Sequence, residues 1–194
     1  MVACVAMAML LSNCGNGDSR NSVIISVKDQ KMLLVEKGKP VKTYPVSTSK
    51  FGLGNQRGSM RTPLGKMAVA RKIGKGARSG TVFKSRKRTG EVLKPNSPGR
   101  DPIVSRIIWL SGKQAHNRNT YSRYIYIHGT PVERHIGYPA SYGCIRMKSR
   151  DVIALYRRLG VGSKVRIIRG GLIDTKEGLA YAIRKEGYAP VAGN

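Results

Sequence analysis

Acidic side chains are scarce in this 194-residue chain: ten Asp and Glu stand against 36 Lys and Arg, a formal net charge of +26. That imbalance bears on solubility, non-specific binding and association rate, and it selects no fold. Nucleic acid, an anionic membrane surface and an acidic cell-wall polymer all fit it. Cysteine is scarcer still. Only Cys4, Cys14 and Cys144 occur, the first two in an apolar N-terminal stretch, so a disulfide framework and a four-cysteine zinc site are both excluded for the body of the chain. Aromatics make up 6% of the residues. Residues 57–100 hold thirteen Lys or Arg and one acid, Glu91, but Phe83 is their single aromatic. A surface for stacking bases interleaves rings with its charges, so this run argues against nucleic acid. A solvated loop, or one lining a groove for an anionic substrate, fits it better.

Long apolar runs are absent too. Met1–Leu11 is apolar almost throughout, short of the roughly 20 residues that span a bilayer and of the right length for a secretory signal. Leu11-Ser12-Asn13-Cys14 resembles a lipobox, with Asn13 where a small residue is usual, and the polar run Gly15–Ser22 reads as a tether. The expectation is export to the periplasm or cell envelope, with Cys14 as a candidate lipid anchor.

At this length one packed domain is expected, divided as 1–22 signal and tether, 23–169 folded body and 170–194 C-terminal extension. Short apolar or alternating runs at 23–27, 31–35 and 41–46, separated by turn-like segments, read as an antiparallel meander. Residues 47–100 are rich in Gly, Ser, Lys and Arg around a small apolar island at 67–70. Further strands are expected at 103–110, 124–127 and 165–168. Val152, Leu155, Tyr156 and Leu159 share one helical face. Ser149 stands where a cap belongs, Asp151 near the positive end, Arg157 and Arg158 near the negative end, and Gly160 at the stop. A second short helix is expected at 177–185.

The chemistry concentrates in Tyr124-Ile125-Tyr126-Ile127-His128-Gly129-Thr130 and Ser141-Tyr142-Gly143-Cys144-Ile145-Arg146-Met147. His128 ends an apolar strand, and Cys144 follows sixteen residues later. A thiol near neutral pH is only slightly ionised, and a neighbouring imidazole supplies the missing activation. Gly143 removes a side chain from the approach, and the N–H groups of Gly143 and Cys144 are candidate oxyanion donors. On an extended backbone Arg146 shares the face of Cys144 and is placed to grip a carboxylate in bidentate fashion. The bland alternatives are a strand-end histidine, an inert core cysteine and a surface ion pair. A zinc site from His128, His135 and Cys144 is chemically possible, but the spacing matches no compact zinc motif.

These segments closely resemble the signature of the YkuD-type L,D-transpeptidases: a histidine, a gap, then Ser-X-Gly-Cys with an apolar residue, Arg or Asn, and another apolar residue. Tyr44–Ser49 resembles the family's strand before the substrate loop, and Arg61-Thr62-Pro63-Leu64-Gly65 its Thr-Pro-X-Gly element. The likeness runs from Val23 to Ile168. It implies a mainly β, sandwich-like catalytic domain with one or two helices, no cofactor and no metal. Cys144 would be the nucleophile and His128 its base, oriented by the backbone at Gly129. Arg146 would meet the stem peptide, with Ser141 and Thr130 beside it. Many members carry a second histidine two residues before the cysteine. Tyr142 stands there instead and is expected to adjust oxyanion or substrate geometry; His135 is not counted as a replacement. The implied reaction is thioester-mediated transfer on peptidoglycan stems, releasing D-alanine and making 3–3 cross-links, with carbapenem-type β-lactams as inhibitors. Water or a protein lysine as acceptor, or wall binding without catalysis through the basic loop, are the alternatives.

Overall fold

A computed structural model describes residues 17, 18 and 20–189, so Cys4, Cys14 and the expected signal lie outside the described residues. The meander forms as β1 (Asn21–Ser26), β2 (Lys31–Glu36) and β3 (Lys39–Pro45). The apolar island at 67–70 is the middle of a nine-residue strand, β4 (Gly65–Ile73). Its alternation is real but muted, because Met67 and Val69 point inward while small Ala68 and Ala70 alternate with them between basic residues. The basic run expected as a loop contains a hairpin, β5 (Thr81–Lys84) and β6 (Lys87–Val92). β6 is the last strand of the sheet path and is almost wholly exposed. Charge on such an edge discourages strand addition by another chain, which is why it reads as loop.

The remaining elements are β7 (Ile103–Gly112), β8 (Tyr126–Gly129), β9 (Ile145–Met147), helix α1 (Ser149–Arg158), β10 (Lys164–Ile168) and helix α2 (Lys176–Glu186). The strands form one mixed sheet in the order β3-β2-β1-β10-β4-β7-β5-β6, and β8 branches from β7 to carry β9. β7 explains the two-sided core. Ile108 and Leu110 enter the main core with α1, whereas Ile107 and Trp109 join Phe83, Ala77 and Tyr126 on the other face. Val152, Leu155 and Leu159 are fully buried, each contributing about 1.5–3 kcal/mol of apolar burial. The α1 cap differs from expectation. Lys148 is the N-cap and Ser149 the first helical residue, and the Ser149 N–H is satisfied by the Glu133 carboxylate at 2.8 Å. The C-terminal extension is part of the fold. Leu172 and Tyr181 pack on Ile24, Leu33 and Val35, covering the outer face of β1 and β2.

Candidate active site

The site is a seam between two short parallel strands. Ile127 pairs with Ile145, His128 with Arg146 and Gly129 with Met147. Period-2 alternation therefore sends Ile127, Ile145 and Met147 into the main core and turns Tyr126, His128 and Arg146 to the opposite face. Cys144 immediately precedes β9 and packs with Tyr126 on that same side. A bulge in β7 makes room beneath the seam, where pairing with β8 jumps from Val104–Gly129 to Ile107–His128 and Ser105 takes φ +68°. Position 129 must be glycine for a steric reason: a Cβ there would sit 2.6 Å from the Val104 carbonyl oxygen.

His128 is buried, and its Nδ1 lies 2.9 Å from the Gly129 carbonyl oxygen. A carbonyl only accepts, so Nδ1 carries the proton and Nε2 keeps its lone pair. Burial holds the imidazole down at about 4, with the Arg146 charge acting in the same direction. The Cys144 thiol is partly exposed. Its Sγ lies 3.4 Å from both the Tyr124 carbonyl, to which it donates, and the Tyr126 N–H, from which it accepts. Burial pushes the thiol up to about 11, against the opposing pull of that N–H and of Arg146 and Arg123. At neutral pH the pair rests as neutral thiol and neutral imidazole.

Ser141, expected as a substrate contact, is buried and braces the nucleophile turn: its Oγ donates to the Cys144 carbonyl at 2.5 Å and accepts the Gly143 N–H at 3.2 Å. That second bond corrects the oxyanion expectation as well, since the Gly143 N–H is already engaged. Gly143 is required chiefly by its backbone, at φ +115°. Its carbonyl accepts from Thr62 Oγ1 at 3.0 Å, which places the Thr-Pro-X-Gly element directly against the turn.

Arg146 also differs from expectation. Its guanidinium is buried and bonded to Asp101 at 2.6 Å, so it is not available to clamp a carboxylate. Thr130, expected at the substrate, is fully buried and donates to the other Asp101 oxygen at 2.5 Å. Arg146, Asp101 and Thr130 are a closed brace behind the seam. Sequence reasoning passed over Asp101, although in a chain with ten acids each one is a rare counter-ion.

The thiol opens into a cleft of about 590 Å³ walled by Arg57, Met60, Arg123, Tyr124 and Tyr142. Arg123 lacked any motif that marked it. Its guanidinium bonds the Gly54 and Arg61 carbonyls at 2.9 and 2.7 Å, and Asn55 Oδ1 and Ser59 Oγ at 3.3 Å each, tying the loop 54–61 to the thiol's side. Arg57 on that loop is exposed and has no acidic partner among the described residues. Tyr142 is half exposed, packs on Phe51 with ring centroids 5.6 Å apart and accepts from Lys50 Nζ at 3.2 Å. On the opposite wall the Arg86 guanidinium, from the β5–β6 turn, lies 5.6 Å from the Trp109 ring centre and 5.1 Å from that of Tyr124. Among the described residues no cluster of three His, Cys, Asp or Glu has the layout to hold a metal ion, and His135 sits away from the pair in a short exposed turn.

The described residues thus form a mostly β domain that opens a cleft over a thiol, with a tautomer-fixed imidazole on β8. The chain belongs to the YkuD family: the family profile, described as the L,D-transpeptidase catalytic domain, matches residues 20–167. No curated protein matches the sequence. Among solved structures, L,D-transpeptidase 3 from Mycobacterium tuberculosis superposes with a TM-score of 0.51 at 16% identity, over 77% of this chain and 61% of that one. A second structure of that protein, with a faropenem-derived adduct, gives 0.50 at 17% identity, over 76% and 60%. An L,D-transpeptidase from Xylanimonas cellulosilytica gives 0.49 at 22% identity, over 79% and 63%. At these identities the likeness is one of fold, and the chain spans about 60% of the length of the structures it matches.

Proposed function

We propose that the chain is an L,D-transpeptidase acting on peptidoglycan stem peptides through a Cys144 thioester. The observation that carries this reading is the thiol on the floor of an open cleft, just ahead of β9, whose partner strand β8 carries an imidazole with its Nδ1–H fixed and its Nε2 left as a base. In the first half-reaction Sγ attacks the carbonyl at the L-centre of the third stem residue and its proton passes to His128 Nε2. The C–N bond to the terminal D-alanine breaks, and the same proton leaves on its amine. In the second, a side-chain amine of a neighbouring stem attacks the thioester, gives up a proton to Nε2 and forms the 3–3 cross-link as the thiol is restored. Because both groups rest neutral, the proton has to pass from Sγ to Nε2 before or during attack. Rotation of Sγ away from the Tyr124 carbonyl is the step that frees the proton for His128.

With Arg146 held by Asp101, the exposed Arg57 on the cleft wall is the cation placed for a stem carboxylate, and Tyr142 shapes the wall where the family's second histidine usually stands. The Cys144 N–H remains the oxyanion donor of this reading. The expected export and the candidate lipid anchor at Cys14 belong to the same reading, as the address at which such a substrate is met. Incubating the protein with purified tetrapeptide-stem muropeptides and weighing the products tests it. D-alanine loss with a 3–3 dimer, both absent in Cys144→Ala, is expected. Tripeptide without dimer would make water the acceptor, and no product with no adduct on Cys144 would sink the enzyme reading.

A further inference from the structure

On the outer face of the sheet, away from α1 and the main core, a second groove of about 470 Å³ runs beside α2. Its floor is low because Ser22 and Ala68 are small. Lys66, Lys113, Lys164 and Arg166 rise around it, and the one acid in its lining is Glu177 of α2, already bonded to Arg166 at 3.2 Å. The register makes this arrangement unusual. Arg166 of β10 lies directly opposite Lys66 of β4, on the same face. Like charges in that relation repel and destabilise a sheet. At one end of the sheet the chain does the reverse, setting Glu36 opposite Lys39 between β2 and β3. Lys164, two residues from Arg166, shares its face, and Lys113 joins through its backbone N–H on the Lys66 carbonyl. Three ammonium groups with no acidic partner among the described residues thus surround a concavity. An anion seated there turns the repulsion into attraction. One lining residue, Glu177 of α2, lies beyond the residues that match the family; the cations of the groove lie within them.

We propose that this groove is a second binding site, for a strand of repeated carboxylates, and that it holds the protein on acidic wall polymer while the thiol cleft works. The choice of carboxylate rests on the substrate reading above, since peptidoglycan stems present that group repeatedly. Ammonium groups act as point charges and suit such a strand without demanding one fixed geometry.

Binding of fluorescent poly-L-glutamate to the full protein, at fixed ionic strength and without turnover, tests the site. Lys66→Glu, Lys113→Glu and Lys164→Glu together should weaken binding tenfold or more. The same reversal at the exposed Lys84, Lys87 and Lys94 should weaken it threefold or less. Glu177→Gln, which frees Arg166, should tighten binding about threefold and stays informative if the triple variant fails to fold. Equal weakening by the two triple variants would mean that net charge alone binds the polymer and would overturn the site. Linear polyphosphate bound tenfold tighter than polyglutamate through the same lysines would overturn the carboxylate assignment. Loss of polymer binding with intact muropeptide turnover leaves the transferase reading standing, and intact binding without turnover removes that reading alone.

Discussion

The two walls of the thiol cleft are built on different terms. On one side the turn 141–147 is bonded at nearly every polar group: Ser141 closes it from within, Thr62 holds Gly143, and the Arg146–Asp101–Thr130 brace stands behind. Ser47 also pairs with the Arg146 backbone in both directions, at 2.9 and 3.0 Å. On the other side the loop 54–61 is mostly exposed or half-buried, and much of its attachment to the thiol's side runs through one guanidinium, Arg123. Buried, mutually satisfied groups open only at a cost close to that of global unfolding, whereas an exposed loop with few anchors opens cheaply. The thiol is therefore held firmly while the opposite wall has fewer restraints, an arrangement that suits the two-substrate reaction proposed above.

The comparison breaks most severely at Asp101. Asp101→Ala leaves the Arg146 charge buried without its partner, and removing one half of such a pair costs about 3–5 kcal/mol. Urea unfolding of the variant should show that loss across the whole molecule; a change below 1 kcal/mol would mean the brace is not one. The next effect follows from His128. Its imidazole is held at about 4 when folded, against about 6.5 in an unfolded chain. Above pH 6.5 both states are neutral there and nothing is gained or lost. As pH falls from 6.5 toward 4 the unfolded state takes up the proton and the folded state does not, so stability drops by about 3 kcal/mol in total. His128→Gln should remove that component of the acid sensitivity, and parallel pH–stability curves for the two proteins would refute it. Thr62→Val comes third. It deletes the buried hydroxyl that donates to Gly143 and accepts from the Ser49 N–H at 3.0 Å each. It should cost about 1–3 kcal/mol and lower kcat more than it raises KM, because the turn carrying the thiol loses a support.

Much of this contrast was legible in the sequence on the firmly held side and little of it on the less restrained side. The strand ending in His128–Gly129 and the turn at Gly143–Cys144 were recognisable because such short-range patterns carry their own backbone geometry, and the sheet then sets β8 beside β9. The meander and α1 were visible because their apolar residues recur at periods of 2 and 3.6. β6 was hidden because an edge strand buries too little to leave an apolar pattern, and the buried run of β5, Thr81 to Phe83, is too short to stand out among basic neighbours. Arg146, Ser141 and Thr130 were seen as residues with work to do and assigned to substrate, because sequence shows a side chain's chemistry and not which partner reaches it first. Asp101 is 45 residues from Arg146, and only the closed sheet brings them together. Arg123 left no local signal, since its partners are mostly backbone carbonyls that any sequence offers.

Arg123 accordingly gives the smallest and most selective prediction. Its guanidinium is drawn below the usual arginine range by burial, and it stands on the wall of the cleft into which Cys144 opens. Its charge would also favour a thiolate forming on Cys144 during turnover. Arg123→Gln keeps a donor but loses the fork and the charge, so the loop 54–61 should exchange its amide hydrogens faster while β8, β9 and α1 keep their protection. Loss of global stability should stay below about 1 kcal/mol, the usual range for a partly exposed hydrogen-bonding side chain. KM for the donor stem should rise several-fold, because binding then has to order the loop that Arg123 held in place. Lysine at the same position restores the charge without the planar fork that reaches Gly54 and Arg61 together. Recovery of thiol reactivity without recovery of KM would separate the two roles. Equal loss of protection on both walls in Arg123→Gln would show instead that the cleft opens as one unit.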